Sequence, residues 1–288
     1  MLKEKLISFV EEDSGFGDIT TQALLAEIGK DKKAKAEIVF KESGVVAGVE
    51  EACMIFKYYG INWKSLKKDG ERVQKGEVVL ELEGKAESIL LVERTVLNLL
   101  GRMSGIATAT ARVVEKVRKK GSNVLIAATR KTAPGLGYLD KKAVVLGGGD
   151  SHRFGLFDAV LLKENHLELS GGVERALKIA KKRTSFTKKI EIEVENEEDA
   201  LSAAKNGADI IMLDNFEPKK AKKLYKKLKK MRADVVVEIS GGINEENIEK
   251  YVECGDVISM GCLTHSVKSI DVSLYLHIFK EKNIKHLS

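Results

Sequence analysis

The chain lacks any apolar run approaching the ~20 residues that a membrane-spanning helix requires, which excludes an integral membrane protein of the helical type. Its N-terminal segment, MLKEKLISFVEEDSGFGD, has too short an apolar stretch and too many acids for a secretory signal. Only three cysteines occur, Cys53, Cys254 and Cys262, and their spacing matches no metal-ligand pattern. Together these absences predict a soluble protein of a reducing cytoplasm.

The formal net charge of +6 at pH 7 raises the question of a nucleic-acid partner. Much of the excess lies in lysine pairs between Lys219 and Lys230, with Leu224, Tyr225 and Leu228 among them. This is the pattern of an amphipathic helix with a solvated face. Tyr225 is the only aromatic residue between the pairs, whereas stacking of successive bases needs several, and no nucleic-acid-binding motif is present. A nucleic-acid binder is therefore the weaker hypothesis, and we expect no such partner.

From about residue 110 onward, short β-branched runs alternate with amphipathic segments of helical spacing. The runs are NVLIA, DAVLLK, KIEIEVE, DIIMLD, VVVEIS and DVISMG. Strands that alternate with helices favour a parallel sheet with right-handed crossovers, and their recurrence every ~20–30 residues favours a β/α barrel. Because the strands number about six, the barrel is predicted to be atypical and incomplete.

The first part of the chain has a different pattern. KAKAEIVFKESGVVAGVEEA and GEVVLELEGKAESIL alternate apolar and polar residues around glycines, which predicts a half-buried antiparallel sheet. ERTVLNLLGRMSGIATATARVVEKVRKK has helical spacing. We therefore expect an α+β domain over residues 1–108 and the barrel over residues 109–271, with residues 272–288 packing back on the first domain.

Polar residues and glycines follow the predicted barrel strands, at the point where each strand ends. They are Arg130 and Lys131, Lys163, Glu191 with Glu193 and Glu195, Asp214, Ser240 with Gly241 and Gly242, and Gly261. In barrel enzymes the carboxyl ends of the strands and the loops after them build the active site, so these residues are predicted to meet at one mouth.

The chemistry of such a mouth follows from its charges. A dense group of cations, Arg130, Lys131, His152, Arg153 and Lys163, needs a polyanionic ligand to balance it. The glycine-bearing loops at 240–242 and 261–266 are suited to hold a phosphate through backbone N–H groups. Glu193 and Asp214 suit either magnesium or the positive charge of an oxocarbenium-like transition state. A sugar phosphate with a reactive anomeric carbon would use both features.

Each of these features has an ordinary explanation when it is taken alone. A strand-end lysine or aspartate is often a surface residue in an ion pair. The stretch GGGDSHRFG, residues 147–155, lacks the GxGxxG spacing of a dinucleotide site, and a single histidine is often structural. Only their joint placement at successive strand ends argues for a site.

Seven motifs carry a specific resemblance. They are EEDSGFGDITT (11–21), ERTVLNLLGRMSGIAT (93–108), ATRKTAPGLGYLDKKAVVLGGGDSHRFGLFDAVLLKENH (128–166), IEVEN (192–196), IMLDNF (211–216), EISGGI (238–243) and MGCLTHS (260–266). In order and through nearly the whole chain, they resemble the quinolinate phosphoribosyltransferase family. The resemblance implies an N-terminal α/β sandwich followed by an atypical, six-stranded β/α barrel.

The resemblance also implies an activity and roles for particular residues. The family joins quinolinate to 5-phosphoribosyl 1-diphosphate with magnesium, and gives nicotinate mononucleotide, diphosphate and carbon dioxide in NAD biosynthesis. The quinolinate residues would be Arg94, Arg130, His152, Arg153 and Lys163. The donor residues would be Lys131, Glu193, Asp214, Ser240, Gly241, Gly261 and His265, of which Lys131, Glu193 and Asp214 would be catalytic.

Further expectations concern cofactor and assembly. Glu193 and Asp214 would hold Mg²⁺, and no organic cofactor is needed. Arg94 would come from the N-terminal domain of a neighbouring subunit, which implies a homodimer, with a hexamer as an open alternative.

One position departs from the family pattern, because Ser151 stands where the family usually has asparagine. The contacts of this loop are therefore in question, since a serine lacks the reach of an amide. A paralogous family associated with molybdenum transport shares the TRK, glycine and HR motifs but usually lacks the lysine of KENH, which is Lys163 here. That paralogue, and a relative acting on another aromatic acid, are the alternatives to the leading hypothesis.

Overall fold

The structure is a computed structural model that describes residues 2–29 and 31–278. Up to residue 119 its elements are α1 (Leu2–Ser14), α2 (Ile19–Ile28), β1 (Lys33–Phe40), β2 (Gly44–Val45), α3 (Val49–Tyr58), β3 (Asn62–Ser65), β4 (Arg72–Val73), β5 (Val78–Lys85) and α4 (Ala86–Lys119). They are followed by β6 (Leu125–Ala127), α5 (Gly137–Leu146), β7 (Val160–Leu162), α6 (Glu164–Ser170), α7 (Val173–Arg183), β8 (Ile190–Val194), α8 (Glu197–Lys205), β9 (Ile210–Asp214), α9 (Pro218–Met231), β10 (Val236–Ser240), β11 (Val257–Ser259), α10 (Cys262–His265) and β12 (Val272–Ile278).

The chain forms two compact units, of which the first comprises residues 1–108 and the segment from Lys268 onward. In this unit the alternating segment of β1 is the centre of an antiparallel sheet of order β12-β1-β5-β3. Val272 to Ile278 pair with Phe40 to Ala34, so the end of the described chain completes the N-terminal sheet. Residues 279–288, the rest of the segment expected to pack back, lie outside the described residues.

Helix α4 begins earlier than the sequence pattern predicts. The segment AESILLV looks like a continuation of the alternating strand, but β5 ends at Lys85 and the helix starts at Ala86. Ala86, Ile89, Val92 and Val96 are all buried at intervals of three or four residues, which is the spacing of one helix face. The prediction that this segment continues the strand is therefore wrong, because it is the first part of the helix.

Two glycines of α4 allow a backbone segment to lie directly against the helix. The amide of Ile270 donates to the carbonyl oxygen of Gly101 at 3.0 Å. A Cβ on Gly101 would lie 2.8 Å from the Ile270 oxygen, and one on Gly105 would lie 2.3 Å from the Lys268 oxygen. The two glycines, one helical turn apart, thus let the segment before β12 pack directly on the helix.

The second unit, Ala109–Val267, contains the predicted parallel sheet. All six predicted runs form strands, and their order is β6-β11-β10-β9-β8-β7, which is the order of a barrel. The barrel is not closed, because β6 and β7 form no ladder within the described residues. At this opening Asp150 pairs in parallel with Ala127 of β6. The prediction of an incomplete, six-stranded β/α barrel is confirmed. No helix among residues 2–29 and 31–278 is long and apolar enough to span a bilayer.

We expect Gly105→Ala to lower the free energy of unfolding by about 1–3 kcal/mol, as overpacking of a close contact does. In an open helix interior the same change would raise it by about 1 kcal/mol. Here the new methyl group would meet the Lys268 oxygen and the Ser269 Cα at 2.3 and 3.1 Å, both of them backbone atoms. Urea unfolding measures the effect. Asn98→Ala, on the exposed face of the same helix, is the control and should be neutral or slightly stabilising. A more stable Gly105→Ala protein would contradict the close approach.

Candidate active site

A cavity of about 380 Å³ opens at the carboxyl ends of the barrel strands. Every residue that lines it belongs to the second unit. The lining residues are Ala128, Thr129, Arg130, Lys131, His152, Arg153, Leu161, Lys163, Glu193, Met212, Asp214, Glu238, Ser240 and Ser259. The cations that the sequence places at separate strand ends therefore share one hollow.

Strands β8, β9 and β10 supply the floor and wall of the cavity through alternate residues. Glu193 on β8 pairs in register with Met212 on β9, and Met212 pairs with Glu238 on β10. One step further along, Asp214 pairs with Ser240. Because successive side chains of a strand point to opposite faces, these residues turn inward together, while the residues between them pack against the helices.

The loop after β6 is held in shape by short polar contacts. The amide of Lys131 donates to the Thr129 hydroxyl at 3.1 Å, and the fully buried carboxylate of Asp140 accepts the Ala133 amide at 3.2 Å. The hydroxyl of Thr264 donates to the carbonyl oxygen of Lys131 at 2.7 Å. Lys131 is thus tied by its main chain to the segment after β11, while its side chain lines the cavity.

The GGGDSHRFG segment enters the site at the open side of the barrel. Gly149 must be a glycine because a Cβ there would lie 2.8 Å from Val144 Cγ1 and 3.0 Å from the Ile126 oxygen. The main chain of Asp150 pairs with the free edge of β6. Its amide donates to the Ile126 oxygen and its carbonyl accepts from the Ala128 amide, each at 2.8 Å. The carboxylate of Asp150 accepts the amide of His152 at 2.6 Å. His152 takes a left-handed φ of 51°, which places His152 and Arg153 at the cavity.

Lys141 of α5 binds the main chain of this loop. Its side chain is 1% exposed, and its ammonium donates to the carbonyl oxygen of Ser151. Burial lowers the pKa of Lys141 to about 8, with the charges of Arg130 and Arg153 adding to the effect against those of Asp150 and Asp158. The contact at position 151 uses the main chain, so it does not depend on whether the residue is serine or asparagine.

His152 lies between two buried carboxylates. Its Nε2 is 3.1 Å from Glu238 Oε2 and 3.5 Å from Glu191 Oε2, and both acids are almost fully buried. Burial disfavours the imidazolium, but the hydrogen bonds and charges of Glu191 and Glu238 outweigh it and raise the pKa of His152 to about 10. Burial also raises the pKa of Glu191, against the effect of His152. The histidine is therefore a fixed cation at neutral pH.

Glu238 is a functional candidate that the sequence predictions missed, and Glu191, which they place at the mouth, is given no role by them. Both occur inside strand runs whose remaining residues are mostly apolar, whereas the predictions concentrated on residues at strand ends. A signal was present, since Glu191 shares a strand face with Glu193, and Glu238 shares one with Ser240. A carboxylate on the inner face of a barrel strand requires a buried cation as partner.

Arg153 and Lys163 are positioned by neighbouring main-chain contacts. The guanidinium of Arg153 donates to the Ala159 oxygen at 3.1 Å. Burial, together with the charge of Arg130, lowers the pKa of Arg153. Lys163 precedes α6, where its amide donates to His166 Nδ1 at 3.0 Å, and its ammonium forms an ion pair with Glu193. The lysine of the KENH motif thus already has an acidic partner in the cavity.

The predicted phosphate loops lie at the rim. Gly241 has a φ of +97° and lies so close to Asn215 that a Cβ would be 2.5 Å from its backbone nitrogen. A Cβ on Gly261 would lie 3.0 Å from Lys131 Cδ and 3.2 Å from His265 Nε2, so these three residues are neighbours. Gly241, Gly261 and His265 are not among the residues that line the cavity, in contrast to Ser240.

Arg94 is the remaining predicted site residue. It lies on α4 in the first unit, with an exposed side chain, and is not part of the cavity lining. Its predicted role at the site therefore stays a prediction.

The charges of the cavity indicate what it can bind. Its lining holds five basic side chains and three acidic ones, and Glu191 lies beneath them. Two cations are paired with acids, Lys163 with Glu193 and His152 with the buried pair, which leaves Arg130, Lys131 and Arg153 facing the hollow. Planar guanidinium groups bind carboxylates and phosphates in two-point contacts. The site is suited to a multiply charged anion beside carboxylates that can face a developing positive charge.

Comparisons with known proteins agree with this arrangement. A family model described as the C-terminal domain of quinolinate phosphoribosyl transferase matches residues 106–275, and the corresponding N-terminal domain model matches residues 18–104. A probable carboxylating nicotinate-nucleotide pyrophosphorylase of Methanothermobacter thermautotrophicus is 46% identical over 274 residues, which cover 94% of this chain and 97% of the relative. The human carboxylating nicotinate-nucleotide pyrophosphorylase is 39% identical over 246 residues, 84% of this chain and 82% of the relative. The solved structure of nicotinate-nucleotide pyrophosphorylase from Francisella tularensis has a TM-score of 0.88 and 34% identity, and the match covers 96% of each chain.

We expect the stability of the folded protein to depend on the proton of His152. Because its pKa is about 10 in the folded state against 6.5 as the ordinary value, its contribution is complete below about pH 6.5 and is lost as the pH rises toward 10. The free energy of unfolding should therefore fall between pH 7 and pH 10 by about 3–4 kcal/mol more than in His152→Gln, which keeps a neutral donor. Urea titrations at four pH values measure this difference, and Lys141, which titrates in the same range, is common to both proteins. Parallel curves for the two proteins would contradict the assignment.

Proposed function

The chain belongs to the quinolinate phosphoribosyltransferase family, and we propose that its barrel cavity joins quinolinate to 5-phosphoribosyl 1-diphosphate with loss of carbon dioxide. The products are nicotinate mononucleotide and diphosphate, and the reaction is a step of NAD biosynthesis. The observation that supports this assignment most is the meeting of Arg130, Arg153, His152 and Lys163 in one hollow beside Glu193 and Asp214.

The substrate charges explain the cations. Quinolinate carries two carboxylates, and two-point contacts from Arg130 and Arg153 would bind and orient them. His152 offers a charged N–H donor from the floor, its charge balanced by Glu191 and Glu238, and Lys163 is within reach of the same hollow. Lys131 lies between Arg130 and the rim at Gly261, so it is placed to contact the donor.

The transfer step uses the acids of β8 and β9. The pyridine nitrogen of quinolinate forms a bond to the anomeric carbon, and the bond from that carbon to diphosphate breaks with the electron pair going to the leaving group. Positive charge develops on the ribose, and carboxylates fixed nearby, Glu193 and Asp214, stabilise it. Because Lys163 is paired with Glu193, binding of quinolinate to Lys163 would free this carboxylate for the ribose.

The decarboxylation step needs no organic cofactor. Once the nitrogen carries the ribose, the ring is a cationic pyridinium whose positive nitrogen stabilises the electron pair that stays on C2 when carbon dioxide departs. A proton then replaces the carboxylate at C2. The residues of the chain orient the ring, and the fixed cations hold the carboxylate that is retained.

Magnesium fits the donor set of this site. Glu193 and Asp214 offer the hard carboxylate oxygens that Mg²⁺ prefers, usually together with phosphate oxygens and water. The Oδ2 atom of Asp214 accepts from Asn215 at 2.7 Å, and Glu193 is engaged by Lys163, so each acid can offer its second oxygen. Bound with the diphosphate, the ion would neutralise charge on the leaving group.

We also propose that the active form is a homodimer to which Arg94 contributes across the interface. Arg94 is exposed and lies outside the unit that forms the cavity. In the loop after Arg153, Phe154, Leu156 and Phe157 are 44%, 76% and 80% exposed, an apolar surface next to the site that association would cover. The free thiols, Cys53, Cys254 and Cys262, support the cytoplasm as its location.

The direct test of the function is product formation. The purified protein, with quinolinate, the donor and Mg²⁺, should form nicotinate mononucleotide, and nicotinate should be a poor substitute because it lacks the second carboxylate. Absence of product from a folded, dimeric protein would refute the assignment. A preference for nicotinate would favour a relative that acts on another aromatic acid.

Arg153→Ala should raise the KM for quinolinate by roughly a hundredfold, as the loss of a charge-assisted two-point contact does. The KM for the donor should change by less than about threefold, because Arg153 lies among the residues assigned to the dicarboxylate. Initial rates with each substrate varied in turn measure both constants. Arg183→Ala, an exposed arginine of α7, is the control and should behave as the native protein. Equal losses for both ligands would contradict the assigned role.

The origin of Arg94 can be tested by complementation. Arg94→Ala and Lys163→Ala should each be inactive as pure dimers. If Arg94 acts across the interface, a mixed dimer keeps one intact site, and co-expression in equal amounts should restore roughly a quarter of native activity. If Arg94 acts within its own chain, no mixed dimer has an intact site. An inactive mixture that contains mixed dimers would therefore overturn the proposal.

A further inference from the structure

The floor of the barrel contains two acids where barrels usually place bulky aliphatic side chains. Glu191 and Glu238 are 1% and 2% exposed. Burying two carboxylates costs several kcal/mol each unless cations and hydrogen bonds compensate, and an apolar pair would fill the same space without that cost. Their presence therefore requires an account that stability alone does not give.

Both acids act on one atom. Oε2 of each carboxylate lies within 3.5 Å of His152 Nε2, while Oε1 of each is buried and has no hydrogen-bond partner among the described residues. Since Nε2 is engaged, the ring nitrogen that remains for a ligand is Nδ1. His152 lines the cavity, and an anion bound there could accept a hydrogen bond from this nitrogen.

The other side of the histidine is also fixed. Its amide is held by the Asp150 carboxylate at 2.6 Å, and the preceding carbonyl, that of Ser151, is held by the buried ammonium of Lys141. The backbone at His152 has a left-handed φ of 51°, which a residue other than glycine adopts at a cost in free energy. Backbone and ring are thus held from opposite sides in one orientation.

We propose that Glu238, together with Glu191, is a positioning residue that keeps the His152 ring an imidazolium and presents its Nδ1–H to a carboxylate of the bound dicarboxylic acid. The inference rests on the proposed function for the identity of that acid. The acids do not touch the substrate. They act through His152, which would otherwise lose its charge and its orientation near neutral pH.

The charged groups that face His152 come from separate elements. Glu191 lies on β8, Glu238 lies on β10, Asp150 binds the backbone of the histidine, and Arg153 follows it in the chain. Removing the charge of Glu238 removes the closer of the two carboxylates, at 3.1 Å. The imidazolium should then deprotonate at a lower pH, while Arg153 keeps its charge.

The kinetic test is Glu238→Gln, which keeps the size of the side chain and removes its charge. Relative to the native protein, the KM of the variant for quinolinate should rise by about tenfold between pH 7 and pH 9, because any effect of Lys141, whose pKa is about 8, is common to both proteins. The KM for the donor and kcat should change by less than about threefold, since the histidine serves binding of the acid. Glu198→Gln, an exposed acid on α8, is the control for the same change of charge. A native pH profile in Glu238→Gln would overturn the proposal.

A double variant separates action through His152 from a direct role of Glu238. His152→Gln should lose quinolinate affinity at all pH values, and adding Glu238→Gln should cost less than about twofold more. If the loss of quinolinate affinity in the double variant equals the product of the two single losses, Glu238 acts independently of His152 and the proposal is overturned.

A spectroscopic test needs no active enzyme and no variant of an acid. In protein labelled with ¹⁵N-histidine, the two ring nitrogens of His152, assigned by their absence in His152→Gln, should show the imidazolium pattern at pH 8. A neutral ring at that pH would overturn the proposal whatever the kinetics are. Conversely, an imidazolium in a protein that makes no nicotinate mononucleotide would refute the proposed function and leave the charge state of His152 intact.

Discussion

The parallel register of β8, β9 and β10 is the constraint on which the site depends. It sets Glu193, Met212 and Glu238 at one level and Asp214 and Ser240 at the next, all turned to the same interior. Because the side-chain period of a strand is two, a shift by one residue would bury the apolar neighbours in the cavity and turn the acids toward the helices. The chemistry of the mouth is therefore set by the same pairing that forms the core.

The acids and cations of this interior balance each other before any ligand is bound. Lys163 is paired with Glu193, and His152 with Glu191 and Glu238, so part of the positive charge is held in place by internal partners. This differs from the expectation of an unbalanced cationic cluster. The arrangement limits repulsion in the empty site, and a dicarboxylate that takes over one of these cations would release an acid toward the ribose.

Much of the architecture could be predicted from the sequence, because strand runs and strand ends leave local patterns. All six barrel runs formed strands, and the basic residues after them share a cavity. Glu238 and His152 are 86 residues apart. No local sequence pattern links the two, so their contact could not be predicted without the three-dimensional structure. The start of α4 was missed for the opposite reason, because seven residues of helix are too few to show their period beside an alternating strand.

The incomplete barrel and the GGGDSHRFG segment explain each other. A closed barrel would pair β6 with β7, and the free edge of β6 would then be occupied by a strand. Here no strand pairs with that edge within the described residues. Instead the amide and the carbonyl of Asp150 both bond to it, and Gly149 lies against the Ile126 oxygen. The edge of β6 thus holds the loop through one paired residue, Asp150, where a neighbouring strand would pair along its length. After this residue, His152 and Arg153 reach the cavity. The missing ladder is what allows two cations to enter the barrel from the side.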